Sequence, residues 1–200
     1  NAGLDPNIAG NHVLSVTSAA NIITITFRAP AAGGLTAATC GGAVTLTLTG
    51  ADGNRFAAYE AVPASPNGRP VVILPDVRGL HPYYEALAVR FAEAGFHAVA
   101  FDYFGRTQGA AQRPDGFDWQ SEIGTLTPEG VQSDVAASAA HLRDLNPGPT
   151  FTVGFCFGGS HSWRLSASDL DLAGVMGFYG QPPRIADVED RFAVPLLLFV

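Results

Sequence analysis

Five short apolar runs, at residues 71–74, 97–101, 150–155, 172–178 and 196–200, recur along the chain with helix-like segments between them. A strand buried on both faces is apolar throughout instead of alternating, and parallel neighbours require a crossover, usually a helix. The alternation therefore predicts an α/β fold with a mostly parallel sheet and helices on both faces. Pro82 stands at a first helical position, Leu87 and Phe91 lie four apart on one face, and Gly95 marks a stop. A second helix is specified more fully. Thr127 caps it, Pro128 fits its first position, and Val131, Val135, Ala139 and Leu142 form an apolar stripe before Asn146-Pro147-Gly148. Residues 102–126 read as one long loop rich in Gly, Gln and Asp, a length that more often serves function than connection alone.

Upstream, residues 44–49 and 56–62 flank the turn Ala51-Asp52-Gly53-Asn54 and predict a hairpin, followed by a Pro/Gly/Ser linker at 63–70. Residues 1–43 differ in texture. Asn, Ala, Thr, Ser and Gly surround a β-branched stretch at 22–27, broken by Pro30 and the small residues at 31–34. The 200 residues thus divide into a β-rich segment, 1–43, to which no chemistry is assigned, and one domain, 44–200. The chain begins at Asn1 without Met, and the apolar run at its other end stops without a turn or cap. The expectation is a chain trimmed at both ends, with a domain that continues past Val200.

Composition narrows the function. All eleven basic residues are Arg, which excludes a lysine Schiff base, a catalytic lysine and the lysine of a phosphate-binding loop. Charged residues make up 14%, against an ordinary ~25%, and the net charge of -7 includes no basic cluster, so no nucleic-acid partner is expected. The apolar run at 193–200 is interrupted by Pro195 and falls well short of the ~20 residues of a membrane span, so no membrane partner is expected either. Cys40 and Cys156 sit in such different surroundings that two independent thiols, in a reducing cytoplasm, is the expectation. His12, His97 and His141 have no partners at metal-ligand spacing, and no metal is expected.

The most informative segment is Gly154-Phe155-Cys156-Phe157-Gly158-Gly159, which follows a strand and opens a helix. A nucleophile on so sharp a turn needs small residues two positions before and after it, and Gly154 and Gly158 supply them. Such a turn would hold the Cys156 sulfur at the carboxyl edge of the sheet and aim the Phe157 N–H at an oxyanion formed there. The helix dipole also favours a thiolate. The bland alternative is an inert buried cysteine with glycines serving close packing. His161, five residues on, falls about 140° around the helix and should point away from Cys156. His81 borders the loop after residue 76, where a turn role before Pro82 competes with a role at the cleft.

These residues carry a resemblance to the dienelactone hydrolase family of α/β-hydrolases, running from about residue 44 to residue 200. Residues 71–80, Val-Val-Ile-Leu-Pro-Asp-Val-Arg-Gly-Leu, look like the family's strand and acid-bearing loop. Phe101-Asp102-Tyr103-Phe104-Gly105-Arg106, Gly154 to Gly159 and Phe178-Tyr179-Gly180 follow in family order. The resemblance implies an α/β-hydrolase domain without metal or organic cofactor, which opens a small, anionic ester or lactone through a cysteine acyl-enzyme. Carried over, Cys156 is the nucleophile, the N–H groups of Val77 and Phe157 form the oxyanion hole, and Arg106 meets a substrate carboxylate. Asp76 stands where the family usually has Glu and would manage the thiol proton with one methylene less of reach. Arg78 replaces a frequent aromatic residue, which implies a substrate preference apart from dienelactones. Tyr103 and Tyr179 would line the pocket, with core packing as the alternative. The family's remaining acid and His would follow Val200. A carboxylesterase or thioesterase on the same scaffold, a hydrolase fold without activity, and an exported binding protein remain as rival readings.

Overall fold

The computed structural model describes residues 40–114 and 116–199, together with two short strands nearer the start, β1 (Ser15–Ala19) and β2 (Ile22–Thr26). The chain divides into two compact units, Asn1–Thr36 and Ala37–Val200, a division ahead of the 43/44 boundary expected above. In the first unit β1 and β2 pair antiparallel, with Ser15 opposite Thr26 and Ala19 opposite Ile22. His12, Phe27 and the breaks at 30–34 lie outside the described residues.

The second unit is built on a seven-stranded sheet. Its strands are β3 (Gly42–Thr49), β4 (Arg55–Val62), β5 (Val71–Leu74), β6 (Ala98–Phe101), β7 (Phe151–Phe155), β8 (Gly174–Phe178) and β9 (Leu196–Phe199). They lie in the order β3-β4-β6-β5-β7-β8-β9. The hairpin β3–β4 is antiparallel, β4 meets β6 antiparallel, and β6, β5, β7, β8 and β9 run parallel. The helices are α1 (Pro82–Glu93), α2 (Gly105–Gln108), α3 (Trp119–Glu122), α4 (Pro128–Leu145) and α5 (Phe157–Arg164). The expected long loop at 102–126 is thus interrupted by two single-turn helices, the second capped by the Asp118 carboxylate on Gln120 N–H.

Alternation along β5 shows how the layers form. Val71 and Ile73 pack with Tyr84, Ala88, Val89 and Ala92 of α1, while Val72 and Leu74 pack with Val131, Val135, Ala139 and Leu142 of α4 and with Phe157 of α5. One strand therefore feeds both cores, which explains its fully apolar sequence. On α1 the fully buried stripe is Tyr84–Ala88–Ala92, and the expected Leu87 and Phe91 sit only partly buried beside it. Ala57, Ala61, Ala98 and Ala100 in the same core explain the difference: small side chains on both sides favour close approach of helix and sheet. Strand β9 is also less buried than its apolar sequence suggests, with Leu198 44% exposed.

At the amino ends of the parallel strands, Oε1 of Glu60 on β4 receives Nε2 of His97 at 2.7 Å and Nε2 of His141 on α4 at 3.0 Å. A carboxylate only accepts, so both imidazoles present an Nε2–H to it. The His97 bond holds the Glu60 carboxyl below its ordinary range against its own burial, and His141 adds to this. The cluster ties β4, the entry to β6 and α4 together.

The packing predicts a contrast within one helix. Leu142→Ala, at a site with 0% exposure, should cost about 2–5 kcal/mol in urea unfolding. Leu145→Ala, at 59% exposure on the same helix, should stay within about 0.5 kcal/mol.

Candidate active site

Consecutive parallel strands leave β5 in opposite directions, first to β6 on one side and later to β7 on the other. That reversal opens a crevice at the carboxyl ends of β5 and β7, where open α/β sheets bind ligands. Cys156 stands there. It joins β7 to α5 with φ 54° and ψ -113°, a conformation strained for any side chain. Cys156 N–H donates to Phe178 O at 2.9 Å, Gly158 N–H to Pro75 O at 3.1 Å, and Ser160 N–H to Cys156 O at 3.1 Å. A Cβ at Gly154 would overlap the carbonyl of Gly158, and one at Gly158 would overlap the carbonyls of Leu74 and Pro75. Both glycines are thus required by close approach, as the sequence predicts. The thiol is free and half-buried.

The facing wall is the loop after β5. Asp102, at 1% exposure, accepts Leu80 N–H and Phe104 N–H, both at 3.2 Å, and takes Nε and Nη2 of Arg113 at 2.9 and 2.8 Å. Burial pushes the Asp102 carboxyl up, while Arg113 and the two N–H groups pull against that rise. Gly79 has φ 73° and lies so close to Asp102 Oδ1 that a side chain there would displace it. Tyr103 Oη donates to Pro75 O at 2.7 Å, and Asp76 N–H donates to Tyr84 Oη at 3.0 Å. The loop is therefore bound at both ends to β6, α1 and α5. Among the described residues, the N–H groups of Val77 and Phe157 donate to no acceptor within the protein, which leaves both available to an oxyanion.

Asp76 is nearly buried and held by Arg78, whose backbone N–H and Nε reach Oδ1 at 2.9 and 3.1 Å and whose Nη2 reaches Oδ2 at 2.6 Å. Burial alone would raise this carboxyl, but the Arg78 bonds outweigh it and hold it below the ordinary carboxylate range. The Arg78 side chain is 56% exposed, so one face of its guanidinium meets solvent. Nε2 of His81 lies 3.8 Å from Asp76 Oδ2, buried and without a hydrogen-bond partner among the described residues. Burial, with the charge of Arg78, depresses the His81 imidazole against the pull of Asp76. Tyr179 is exposed, at a positive φ of 41°, and its ring packs beside Phe155. Burial, then the charges of Tyr83, Asp76 and Cys156, raise its phenol, while Arg78 lowers it. Cys156, Asp76, Arg78, Tyr83 and Tyr179 thus share one electrostatic neighbourhood at the mouth of the crevice.

Two of the expected substrate contacts stand elsewhere. Tyr103 has 0% exposure, with its ring edge-to-face on Phe101 and Phe157, so it supports the Pro75 carbonyl from inside the core and lines no pocket. Arg106 turns to the β3–β4 turn and the start of α4, where it pairs with Asp52 at 2.5 Å and Asp134 at 2.9 Å and donates to Gly130 O. Its charge is committed to Asp134, which is 1% exposed, and not turned to a substrate. The sequence concealed this because Asp52 and Asp134 reach Arg106 only through the tertiary fold. Arg113 and Asp102 form another pair the sequence reading did not single out.

His161, expected to face away from Cys156, is 7% exposed, with its ring centroid 4.3 Å from that of Phe157. Burial, with the charges of Arg184 and Arg164, pushes its imidazole down to about 4. Among the described residues no group of three or more His, Cys, Asp or Glu side chains could hold a metal ion, and no helix is long and apolar enough to cross a membrane.

A strained cysteine between strand and helix, at the reversal point of a largely parallel sheet with an antiparallel hairpin at one edge, defines an α/β-hydrolase domain. The chain belongs to the dienelactone hydrolase family, whose family model matches residues 56–200. It is 27% identical over 168 residues to a Bradyrhizobium protein named "Probable 2-oxo-3-(5-oxofuran-2-ylidene)propanoate lactonase", covering 76% of this chain and 66% of that protein. It is 25% identical over 129 residues to a Methylorubrum extorquens protein named "Putative carboxymethylenebutenolidase", covering 62% of this chain and 44% of the other. The chain therefore spans two thirds or less of the length of these curated relatives. Among solved structures, a dienelactone hydrolase-like promiscuous phosphotriesterase from metagenomic libraries superposes with a TM-score of 0.62 at 23% identity, over 78% of this chain and 67% of that one. At that identity the likeness shows the fold alone.

The Arg106 network yields two expected outcomes. Burial pushes the Asp134 carboxyl up to about 6, so it is ionised at neutral pH and Arg106→Ala would strand a buried charge. The variant should lose about 2–4 kcal/mol of stability at pH 7. That deficit should shrink below pH 6, where Asp134 takes up a proton in the parent protein as well, in urea melts run across pH. His161 gives the opposite arrangement: its folded value lies below its unfolded value near 6.5. The unfolded chain therefore binds the extra proton, and stability attributable to this group falls as pH drops from about 6.5 towards 4. His161→Leu should flatten that limb of the stability–pH curve relative to the parent.

Proposed function

We propose that this domain hydrolyses small esters or lactones that carry a carboxylate, through a thioester formed on Cys156. The observation that carries the reading is the Cys156 turn itself, a strained, half-buried free thiol, together with the N–H groups of Val77 and Phe157, which have no acceptor among the described residues. Strain at one residue persists only where the surroundings enforce it, and here three backbone bonds and two glycines do so.

In the proposed reaction the Cys156 thiol gives up its proton and Sγ attacks the acyl carbon. The carbonyl oxygen becomes an oxyanion between the Val77 and Phe157 N–H groups, aided by the positive end of α5. Collapse breaks the carbon–oxygen bond, releases the alcohol or enol as the leaving oxygen takes a proton, and leaves the acyl thioester, which water then hydrolyses. Asp76 is the acceptor proposed for the thiol proton. At rest its carboxylate is occupied by Arg78, whose exposed guanidinium is the first cation an entering carboxylate meets. A substrate carboxylate that draws Arg78 outward frees Asp76 for the thiol, and so couples activation of the nucleophile to binding of an anionic substrate. Tyr179 and Tyr83, both exposed at the mouth, are placed to flank such a substrate. This proposal replaces Arg106 with Arg78 as the anion-binding residue. A free thiol of this kind suits a reducing compartment, and we propose a cytoplasmic setting on that ground.

Steady-state kinetics of the full-length protein test the proposal. Cys156→Ala should abolish turnover of small aryl esters. Arg78→Gln should raise KM for carboxylate-bearing esters about tenfold, roughly 1.4 kcal/mol, and leave neutral esters near parent values. Full activity in Cys156→Ala would overturn the proposed nucleophile, and an equal loss on charged and neutral esters would overturn the role given to Arg78.

A further inference from the structure

A cavity of about 290 Å³ is lined by Pro128 of α4, by Ser160, His161 and Arg164 of α5, and by Arg184 and Asp187 of the segment after β8. Its charges are not balanced. Asp187 takes Arg164 in two bonds, Nη1 to Oδ1 at 2.6 Å and Nη2 to Oδ2 at 2.5 Å, so those two groups neutralise each other. Arg184 spends only its Nε, on Gln181 Oε1 at 2.9 Å, and its guanidinium carbon stands 5.6 Å from the Phe157 ring centroid. Its two terminal nitrogens meet no acceptor among the described residues.

The imidazole opposite is more demanding. His161 is more than nine-tenths buried, yet among the described residues neither ring nitrogen makes a hydrogen bond. An imidazole that lines a cavity beside an uncommitted guanidinium is placed to hydrogen-bond a ligand there. The amino end of the eighteen-residue helix α4, at Pro128, adds its positive pole to the same cavity.

We propose that this cavity binds the oxyanion group of a small carboxylate or phosphate between Arg184 and His161. The Arg184 fork supplies two parallel donors, and the imidazole supplies a third. The charged groups facing His161 are Arg164 on its own helix and Arg184 across the cavity; Arg164 is offset by Asp187 and by Glu129 of α4, which leaves Arg184 as the cation without a carboxylate of its own. Phe157 connects the cavity to the active site: its ring centroid stands 4.3 Å from that of His161 and 5.6 Å from the Arg184 guanidinium carbon, and its N–H is one of the two proposed oxyanion donors. Occupancy of the cavity is thereby linked to the backbone that stabilises the transition state. Two sources fit the shared chemistry, a remote carboxylate of the ester held at Cys156 or a separate small anion.

The test is a titration of the full-length protein with acetate, and separately with inorganic phosphate, followed by the His161 ring resonances. The expected result is a saturable shift, with the His161 titration midpoint rising by roughly one pH unit in saturating anion, equivalent to about tenfold tighter binding to the protonated ring. Arg184→Gln, at an exposed position, should weaken both effects while the His161 resonances of the folded protein remain visible. Ester kinetics separate the sources: acetate competitive with anionic esters assigns the site to the substrate, and acetate that alters kcat without competing assigns it to a separate anion. Absence of a saturable His161 shift, or a shift of equal size in Arg184→Gln, would overturn the proposal. Because the readout is binding, this result is independent of whether Cys156 is the nucleophile.

Discussion

The candidate site depends on one close approach, that of the first turn of α5 against the ends of β5 and β8. Gly158 lies so near the Leu74 and Pro75 carbonyls, and Gly159 so near the Phe178 carbonyl, that no side chain fits at either. The contact fixes Cys156 in its strained geometry and holds the Phe157 N–H beside the loop that carries Val77. Pro75 O is the common anchor, receiving Gly158 N–H from α5 and Tyr103 Oη from the core. A carbonyl with two donors from two elements locks the distance between the proposed oxyanion donors more firmly than either bond alone.

Electrostatics at the crevice are arranged as a tension. Asp76 is buried enough that an unpaired carboxylate would favour protonation, and Arg78 prevents this from a position largely in solvent. With its Arg side largely in solvent, such a pair can pass its guanidinium to another anion more readily than one buried on both sides, which is the property the proposed coupling uses. The Arg106–Asp134 and Arg113–Asp102 pairs are of a different kind. Each sets an Arg against a carboxylate that is 1% exposed, and each joins distant segments. Their loss would leave a buried charge, so they serve the framework while Arg78 serves the site.

The sheet was legible in the sequence because strands buried on both faces must be apolar throughout, as at 71–74 and 98–101. Helix α4 was legible because Thr127, Pro128 and the stripe through Leu142 all agree. The turn at Cys156 was legible because steric need for glycine leaves a mark at fixed spacing. What stayed hidden was long-range pairing. Nothing local to Arg106 indicates Asp134, and nothing near His97 or His141 indicates that both meet Glu60, 37 and 81 residues away. Packing against alanines was equally hidden: Leu87 and Phe91 are the larger apolar residues of α1, but Ala88 and Ala92 take the buried positions because the facing strands are alanine-rich. Tyr103 misled for a related reason, since a tyrosine beside a site motif reads alike whether its hydroxyl faces a ligand or a buried carbonyl.

The central claim, that Cys156 carries the acyl group, is tested most directly by rapid acid quench of the full-length protein during turnover of an activated ester, followed by mass analysis of its peptides. The account predicts one acyl group on the peptide containing Cys156, formed within the first turnover and removed by hydroxylamine as a thioester is. Turnover with Cys156 unmodified throughout, or with the acyl group on another side chain, would contradict it.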